Sequence, residues 1–203
     1  MISDYMKGGL KVIVEKNRLK ALKEAAKNIE EEFGVKLVIN DEAGEVTIIP
    51  GDGASFDKLM KAKSIVEAIS YGFDYEDAQN LRSDDYTLEV IDLRDYVDKD
   101  KVNHLSRIKA RIIGEDGRAK RVLQEMTDTK IVVGDKYIAI LGPYENVKAA
   151  RSALEMLIKG RQHATVYRWI QNWRREMKYR ELMERISRTY QEDIYEGGEE
   201  GEG

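Results

Sequence analysis

The chain has 203 residues, a length that allows one large domain or two small ones, and its formal net charge is −4. Apolar residues (42%) suffice for a core; the absence of cysteine excludes disulfides and thiolate chemistry, and two histidines argue against a histidine metal site or a serine triad. No stretch approaches the roughly 18 apolar residues of a membrane span and no apolar signal core opens the chain, so a cytoplasmic protein without metal, cofactor or membrane contact is expected.

The first half of the chain predicts a strand, a long helix, a two-stranded hairpin and a second helix. Apolar residues recur at three- and four-residue steps before Gly34, which ends the first helix. Ser55 or Asp57 is expected to cap the second helix, and Gly72 ends it. The predicted strands span 10–15, 36–39 and 45–49, and the predicted helices span 18–33, about 57–71 and, as a short connection, 76–81.

The second half predicts a similar series of elements with an additional helix and a long C-terminal helix. The predicted strands span 87–93, 130–133 and 137–141, and the predicted helices span 101–113, 118–127, 144–159 and 164 to about 190. The chain ends in GGEEGEG, a Gly/Glu tail that cannot bury a core.

The two halves resemble each other in element order and in sequence. KLVI at 36–39 matches KIVV at 130–133, and AKSIVEAISYG at 62–72 matches ARSALEMLIKG at 150–160. Shared amphipathic patterning is one explanation, but both halves also end a helix at glycine. The pattern therefore favours an internal duplication.

The segment RIKARIIGEDGRAKRVLQEM at 107–126 carries the most specific signal. A helix ending in Ile112-Ile113 meets GEDG at 114–117, and a new helix begins at once. Glycines without a Cβ allow a polymer backbone to approach closely, and the N-terminus of the second helix favours phosphate. The pattern indicates a phosphate-contacting loop; the alternative is that GEDG is only a structural turn.

The distribution of charge along the chain also points to a polyanion. Residues 1–103 carry 15 Lys and Arg against 22 Asp and Glu, whereas residues 104–185 carry 18 against 10. A basic segment between acidic ones is typical of proteins that bind nucleic acid, although solvated charged faces are an alternative explanation.

The element order around I-I-G-x-x-G-R resembles a KH domain of type I, which the match covers at 86–160. The segments 75–93, 110–133, 137–160 and 163–170 narrow this to similarity with the archaeal and eukaryotic tandem-KH factors of small-subunit ribosome assembly. The resemblance implies an α+β fold with two tandem type I KH domains, each a three-stranded antiparallel sheet packed on helices, and a C-terminal helical extension. It divides the chain into a degenerate first KH domain (1–80), a second with GEDG (81–162) and a basic aromatic helix with an acidic tail (163–203).

The same resemblance implies a non-enzymatic role in ribosome biogenesis and rRNA processing. The second KH domain would bind single-stranded pre-rRNA near the 3′ end of the 16S rRNA. Family partners are the PIN-domain endonuclease that trims this rRNA, the rRNA dimethyladenosine transferase and the alpha subunit of a translation initiation factor. The alternative function is a protein–protein adaptor with secondary RNA binding; an enzyme is not supported by any carboxylate, histidine or cysteine pattern.

This sequence departs from the family pattern in two places. KNRLKALKEAAKN at 16–28 has no glycine and is too short for two helices and a loop, so the first domain is not expected to grip RNA in the KH manner. GEDG also puts Glu115 and Asp116 beside the expected phosphate, where their charge is repulsive.

The candidate RNA-binding residues surround GEDG or lie on the C-terminal helix. Apolar residues here are core in one interpretation and groove walls that touch bases in another. Val166, Trp169, Ile170, Trp173 and Met177 share one helical stripe that is expected to pack on the body of the protein. The candidate residues are Arg107, Lys109, Arg111, Ile112, Ile113, Gly114, Glu115, Asp116, Gly117, Arg118, Lys120, Arg121, Arg174 and Arg175.

Overall fold

The structure, a computed structural model, describes residues 9–97 and 102–196. The strands are β1 (Leu10–Ile13), β2 (Val35–Asn40), β3 (Glu45–Pro50), β4 (Tyr86–Asp92), β5 (Lys130–Val133) and β6 (Tyr137–Pro143). The helices are α1 (Leu19–Phe33), α2 (Phe56–Tyr71), α3 (Tyr75–Ala78), α4 (Val102–Ile113), α5 (Arg118–Thr127), α6 (Tyr144–Ile158) and α7 (His163–Glu196). The predicted Gly/Glu tail at 197–203 lies outside the described residues.

The predicted elements are confirmed, with small shifts at their ends. The first strand stops at Ile13 rather than residue 15, although the Val14 N–H still bonds to the Gly44 carbonyl at 2.8 Å. The fourth strand stops at Asp92, whose carboxylate caps a 3₁₀ turn by accepting from the Arg94 N–H at 2.8 Å. The C-terminal helix continues to residue 196, past the predicted end near 190.

The first half folds around a sheet with the order β1-β3-β2, antiparallel throughout. The amphipathic face of α1 buries Leu22 and Ile29 against this sheet. Ser55 caps α2 by accepting from the Lys58 N–H at 3.2 Å, and Gly72 ends it at φ 103°. Only a 3₁₀ turn (Lys16–Arg18) separates the first strand from α1, which agrees with the prediction that two helices do not fit there.

The second half repeats this sheet with the order β4-β6-β5, again antiparallel. Between its first strand and α5 it contains the additional helix α4 and the GEDG loop. Helices α4, α5 and α6 pack on one face of the sheet, where Ile138 and Ile140 belong to their hydrophobic cluster.

The opposite face of the second sheet is covered by the first half of the chain. Ala139 and Leu141 are fully or almost fully buried in the cluster formed by α1, α2 and the first sheet. Strand β6 is therefore buried continuously from Ile138 to Gly142 rather than alternately. Within the part of the chain that the structure describes, the elements stack as sheet, helices, sheet and helices, and the second sheet is covered on both faces.

Helix α7 begins against α5 and α6 and then extends beyond the body. Val166 and Ile170 are fully buried in the second core, and Trp169 and Trp173 pack partly buried against it, as the stripe predicted. Met177 is half-buried, and from Lys178 to Thr189 every side chain is exposed.

Candidate nucleic-acid interface

The GEDG loop adopts a backbone conformation that its glycines make possible. Gly114 has φ 73° and ψ 178°, and a Cβ there would lie 2.6 Å from the Ala119 Cβ and 2.8 Å from the Ala119 backbone nitrogen. Gly117 has φ 74°, and a Cβ there would meet only the Arg121 guanidinium at 3.4 Å. Gly114 is therefore fixed by packing as well as by backbone conformation, whereas Gly117 is fixed by backbone conformation alone.

Asp116, between these glycines, is also left-handed, with φ 50° and ψ 28°. Non-glycine residues rarely adopt this region, although Asp tolerates it better than most. The Arg121 guanidinium donates a hydrogen bond to the Asp116 carbonyl oxygen at 2.7 Å. Arg121 therefore holds the strained centre of the loop from the first turn of α5.

The N-terminus of α5 opens directly from the loop without a side-chain cap. Gly117 is the N-cap residue and contributes no side chain, so the first N–H groups of the helix receive no capping hydrogen bond from it. The positive end of the helix dipole is thus presented at the loop, a position that favours an anionic group such as phosphate.

Three of the predicted cations form contacts within the protein. Lys109 Nζ lies 3.1 Å from the Asp135 carboxylate in the β5–β6 turn. Arg111 Nη2 donates to the Gly160 carbonyl at 3.1 Å and to the Arg161 carbonyl, where α6 ends. With Arg121, these side chains stabilise the frame of the site.

The other three predicted cations near the loop present charge to its surroundings. Arg107 and Arg118 are exposed and Lys120 is half-buried. Arg118 directly follows Gly117, so its charge adds to the uncapped helix end. These residues are better placed than Arg111 or Arg121 to meet a phosphate.

The two isoleucines before the loop differ in burial. Ile112 is fully buried in the second core, whereas Ile113 is 37% exposed at the last position of α4. A single exposed aliphatic side chain beside a phosphate-favouring loop provides a surface on which a base can lie. The open groove-wall alternative therefore applies to Ile113 and not to Ile112.

The start of α7 lies behind the loop, which sequence patterns did not reveal. A ring nitrogen of His163, Nε2, lies 2.9 Å from the Arg111 backbone oxygen, and the Tyr167 ring centroid lies 6.0 Å from that of His163. Burial raises the pKa of Tyr167, and the nearby Arg118 charge offsets only part of this rise. Only pairing in three dimensions identifies these residues, because His163 and Arg111 are 52 positions apart.

Arg174 and Arg175 lie on a different part of the molecule from the loop contacts. Both are exposed on α7, eleven residues or more beyond His163. At 1.5 Å per residue this corresponds to about 16 Å along the helix axis. A ligand that reaches both regions must extend along the helix.

Within the described ranges 9–97 and 102–196, no group of three or more His, Asp or Glu side chains is arranged to hold a metal ion. In the same ranges, no helix combines the length and the apolar character needed to cross a membrane.

The comparisons with known proteins point to one family of KH-domain proteins. A model for the second domain of PNO1 proteins, described as a eukaryotic type KH-domain of type I, matches residues 87–175. A KH domain-containing protein from Methanocaldococcus jannaschii is 38% identical over 180 residues, which is 82% of this chain and 78% of that protein.

Two further comparisons connect the chain with named RNA-associated proteins. The RNA-binding protein pno-1 of Caenorhabditis elegans is 37% identical over 174 residues, which covers 82% of this chain and 63% of that protein. A crystal structure of the a/eIF2alpha–aDim2p–rRNA complex from Pyrococcus horikoshii contains a chain with 31% identity and a TM-score of 0.75, covering 82% of this chain and 94% of that one.

Proposed function

The chain belongs to the PNO1/Dim2 family of KH-domain proteins, and we propose from this that it is an RNA-binding factor of small-subunit ribosome biogenesis. It binds single-stranded pre-rRNA near the 3′ end of the 16S rRNA, and it acts in the cytoplasm by binding rather than by catalysis. The names of the relatives, RNA-binding pno-1 and Dim2p solved with rRNA, support this assignment.

The observation that carries the proposal is the conformation of GEDG at the uncapped end of α5. Gly117 gives the helix no side-chain cap, and Arg118 adds charge beside its N-terminus. KH loops of this kind clamp about four nucleotides through their backbone. In this chain the loop amides and Arg118 would take phosphates, and the exposed Ile113 would support a base.

We further assign the two halves as tandem KH units. Sheets of the same strand order support this interpretation, and the first unit lacks the helix–GxxG–helix element. RNA binding is therefore allocated to residues 81–162, with the first unit (1–80) and α7 as supporting and docking elements. Arg107, Arg118 and Lys120 are the preferred phosphate contacts.

The test is fluorescence anisotropy with a labelled single-stranded RNA that copies the 3′ end of the small-subunit rRNA. We expect binding that weakens with salt, because released counterions drive phosphate contacts. A duplex of the same sequence is the ligand control. Gly114→Val is expected to abolish binding, and Glu176→Gln on the exposed part of α7 is a matched variant that leaves the loop intact. RNA binding unchanged by Gly114→Val in a folded protein would reject the proposal.

A second candidate function, an adaptor role, is favoured by the complex formed by the Pyrococcus relative. That relative was solved with a/eIF2alpha as well as rRNA. We therefore propose the alpha subunit of a translation initiation factor as a partner, with the PIN-domain endonuclease and the rRNA dimethyladenosine transferase as further candidates. Titration of each purified partner against the chain, with and without RNA, separates recruitment from RNA binding.

A further inference from the structure

The two sheets can be superposed residue by residue from their strand registers. Thr47 of β3 lies opposite Lys11 and Val38, and Ala139 of β6 lies opposite Val90 and Val132. One step along, Ile49 is opposite Lys36, and Leu141 is opposite Lys130. The outer positions Lys36, Val38, Thr47 and Ile49 of the first sheet therefore correspond to Lys130, Val132, Ala139 and Leu141 of the second.

In the second sheet this outer face is covered by helices of the first half. Ala139 and Leu141 are buried there, and Val132 packs against the same cluster, which also contains Ala78 and Leu81 of the segment after α2. The cover is also polar at its edge. Lys130 Nζ lies 3.1 Å from the Asp77 carboxylate of α3.

A pair of tyrosines closes the same contact. The Tyr71 and Tyr137 rings meet edge to face with centroids 4.9 Å apart, and the Tyr137 hydroxyl donates to the Tyr71 carbonyl at 3.2 Å. The second sheet thus shows what this face binds: an apolar helical surface that carries a carboxylate for the lysine at its edge.

In the first sheet, no helix within residues 9–97 and 102–196 covers the corresponding face. Ile13 is 83% exposed, Val38 46% and Ile49 37%. Lys36, the counterpart of Lys130, is exposed and forms no ion pair with any residue in the described part of the chain. Exposed aliphatic side chains that adjoin one another mark interaction sites, whereas isolated ones are ordinary on any surface. Val38 and Ile49 are diagonal neighbours on β2 and β3.

We propose that the outer face of the first sheet binds an amphipathic helix of a partner protein. The helix packs apolar residues on Val38 and Ile49 and presents an Asp or Glu to Lys36, as Asp77 meets Lys130. The covered second sheet supplies both parts of this argument, the shape of the cover and its charge complementarity. The inference is independent of RNA binding, because the GEDG loop lies in the other half of the chain.

The probe that tests the proposal is a labelled peptide of residues 56–82, the segment that covers the second sheet. We expect it to bind the full chain in trans, and we expect Val38→Glu combined with Ile49→Glu to weaken binding at least tenfold. Leu182→Glu combined with Ile186→Glu on α7 is the matched control, since these side chains are also exposed (50% and 40%), and it should leave binding unchanged.

A charge exchange identifies the face and does not depend on substitutions of aliphatic residues. Lys36→Glu should lower the affinity for the peptide about threefold, the size of effect expected of a partly exposed ion pair. The Asp77→Lys peptide should in turn bind the Lys36→Glu chain better than it binds the wild-type chain. If Lys36→Glu has no effect, the peptide occupies another surface, the second sheet included, and the proposal is overturned.

Two other occupants would also overturn it. If the wild-type chain does not bind the peptide and a variant lacking residues 1–8 does, the N-terminal segment of the same chain covers this face. If light scattering gives a dimer that Val38→Glu with Ile49→Glu converts to a monomer, the occupant is a second copy.

Discussion

The Gln124 side-chain oxygen accepts a hydrogen bond from the Ile131 backbone N–H at 2.8 Å, and so ties α5 to the first residues of β5. Glu30 and Leu37 make the same contact in the first half, at 2.7 Å. Each acceptor precedes its donor by seven residues, across a helix end in which Gly34 or Asp128 is left-handed. The two halves share a specific helix-to-strand connection, which supports the predicted duplication.

This contact predicts a stability effect at Gln124. Gln124→Leu leaves the backbone N–H of the buried Ile131 without its acceptor, which should lower the free energy of unfolding by about 1–3 kcal/mol. Gln124→Glu keeps an acceptor, as Glu30 does, and should cost much less. Urea unfolding measures both, and exposed Glu125→Ala is the neighbouring control with an expected change below about 0.5 kcal/mol. Equal losses for Leu and Glu would contradict the assigned role.

Most of the fold could be predicted from local patterns. The three- and four-residue spacing in α1 and the glycines that end α1 and α2 define elements that tertiary packing only adjusts at their ends. The GEDG site was predictable in the same way, since its glycines, the Ile-Ile helix end and the basic helix are contiguous in sequence.

The partners of side chains in the site were not predictable, because they are distant in sequence. In the sequence, Arg111 and Arg121 cannot be distinguished from the other arginines near the loop. In the structure, both donate hydrogen bonds to backbone carbonyls of the protein. Whether a surface arginine faces inward depends on where carbonyl groups end up after folding. Composition and spacing contain no such information.

The contact between the two halves is indicated in the sequence by an uninterrupted apolar strand, which secondary-structure patterns alone did not connect with a second covered face. YIAIL at 137–141 is continuously apolar, a feature of strands buried on both faces. It follows that a fragment lacking residues 1–80 exposes Ala139 and Leu141. RNA binding by such a fragment is therefore a poor test of the loop, because loss of its cover alone favours aggregation.

The body-facing stripe of α7 predicts unequal costs for its residues. Ile170 is fully buried, so Ile170→Ala should lower stability by about 2–5 kcal/mol through the cavity it leaves. Trp169 is only half-buried, and Trp169→Ala should cost less than full burial would imply. Arg174→Ala with Arg175→Ala should change stability by less than about 0.5 kcal/mol. Thermal unfolding of the three variants checks this order, and a large loss from the arginine pair would contradict it.

Tyr137 predicts an alkaline weakness of the contact between the halves. Burial raises the pKa of this phenol, and the nearby Glu15 carboxylate raises it further. The contribution of the protonated Tyr137 to folding stability is fully present below the pKa of about 10 that this phenol has in the unfolded chain. It is lost as the pH rises through the higher pKa of the folded state, because the unfolded chain releases the phenol proton first.

The measurement is the melting temperature of the wild type and of Tyr137→Phe between pH 8 and pH 12. Tyr137→Phe should be somewhat less stable at pH 8, since it loses the hydrogen bond to the Tyr71 carbonyl. It should then lose less stability than the wild type as the pH rises. Parallel curves would show that ionisation of Tyr137 does not contribute.

Arg118, which is exposed, and Arg121, which bonds to the loop backbone, are predicted to affect the salt dependence of RNA binding differently. Arg118→Ala removes a proposed phosphate contact, so the slope of log K against log salt should become shallower by about 0.7 with single-stranded RNA. Arg121→Ala loosens the loop at the Asp116 carbonyl, so affinity should fall while the slope stays the same. Anisotropy titrations at four salt concentrations distinguish the two. A slope change of about 0.7 for Arg121→Ala would make it a phosphate ligand instead.

The acidic centre of the loop gives the last prediction. Glu115 and Asp116 are exposed beside the N-terminus of α5, so in the proposed binding mode their charge opposes the phosphate contacts of Arg118. Glu115→Lys should therefore tighten RNA binding and steepen the salt slope by up to about 0.7 per new phosphate contact. Gly117→Asp should weaken binding, because the new carboxylate stands at the point of closest approach and an L side chain is strained at φ 74°. Glu125→Lys, on the exposed side of α5, adds the same charge away from the loop and should leave the slope nearly unchanged. If Glu115→Lys and Glu125→Lys have equal effects, net charge and not the loop governs binding, and the adaptor function would take precedence over RNA recognition.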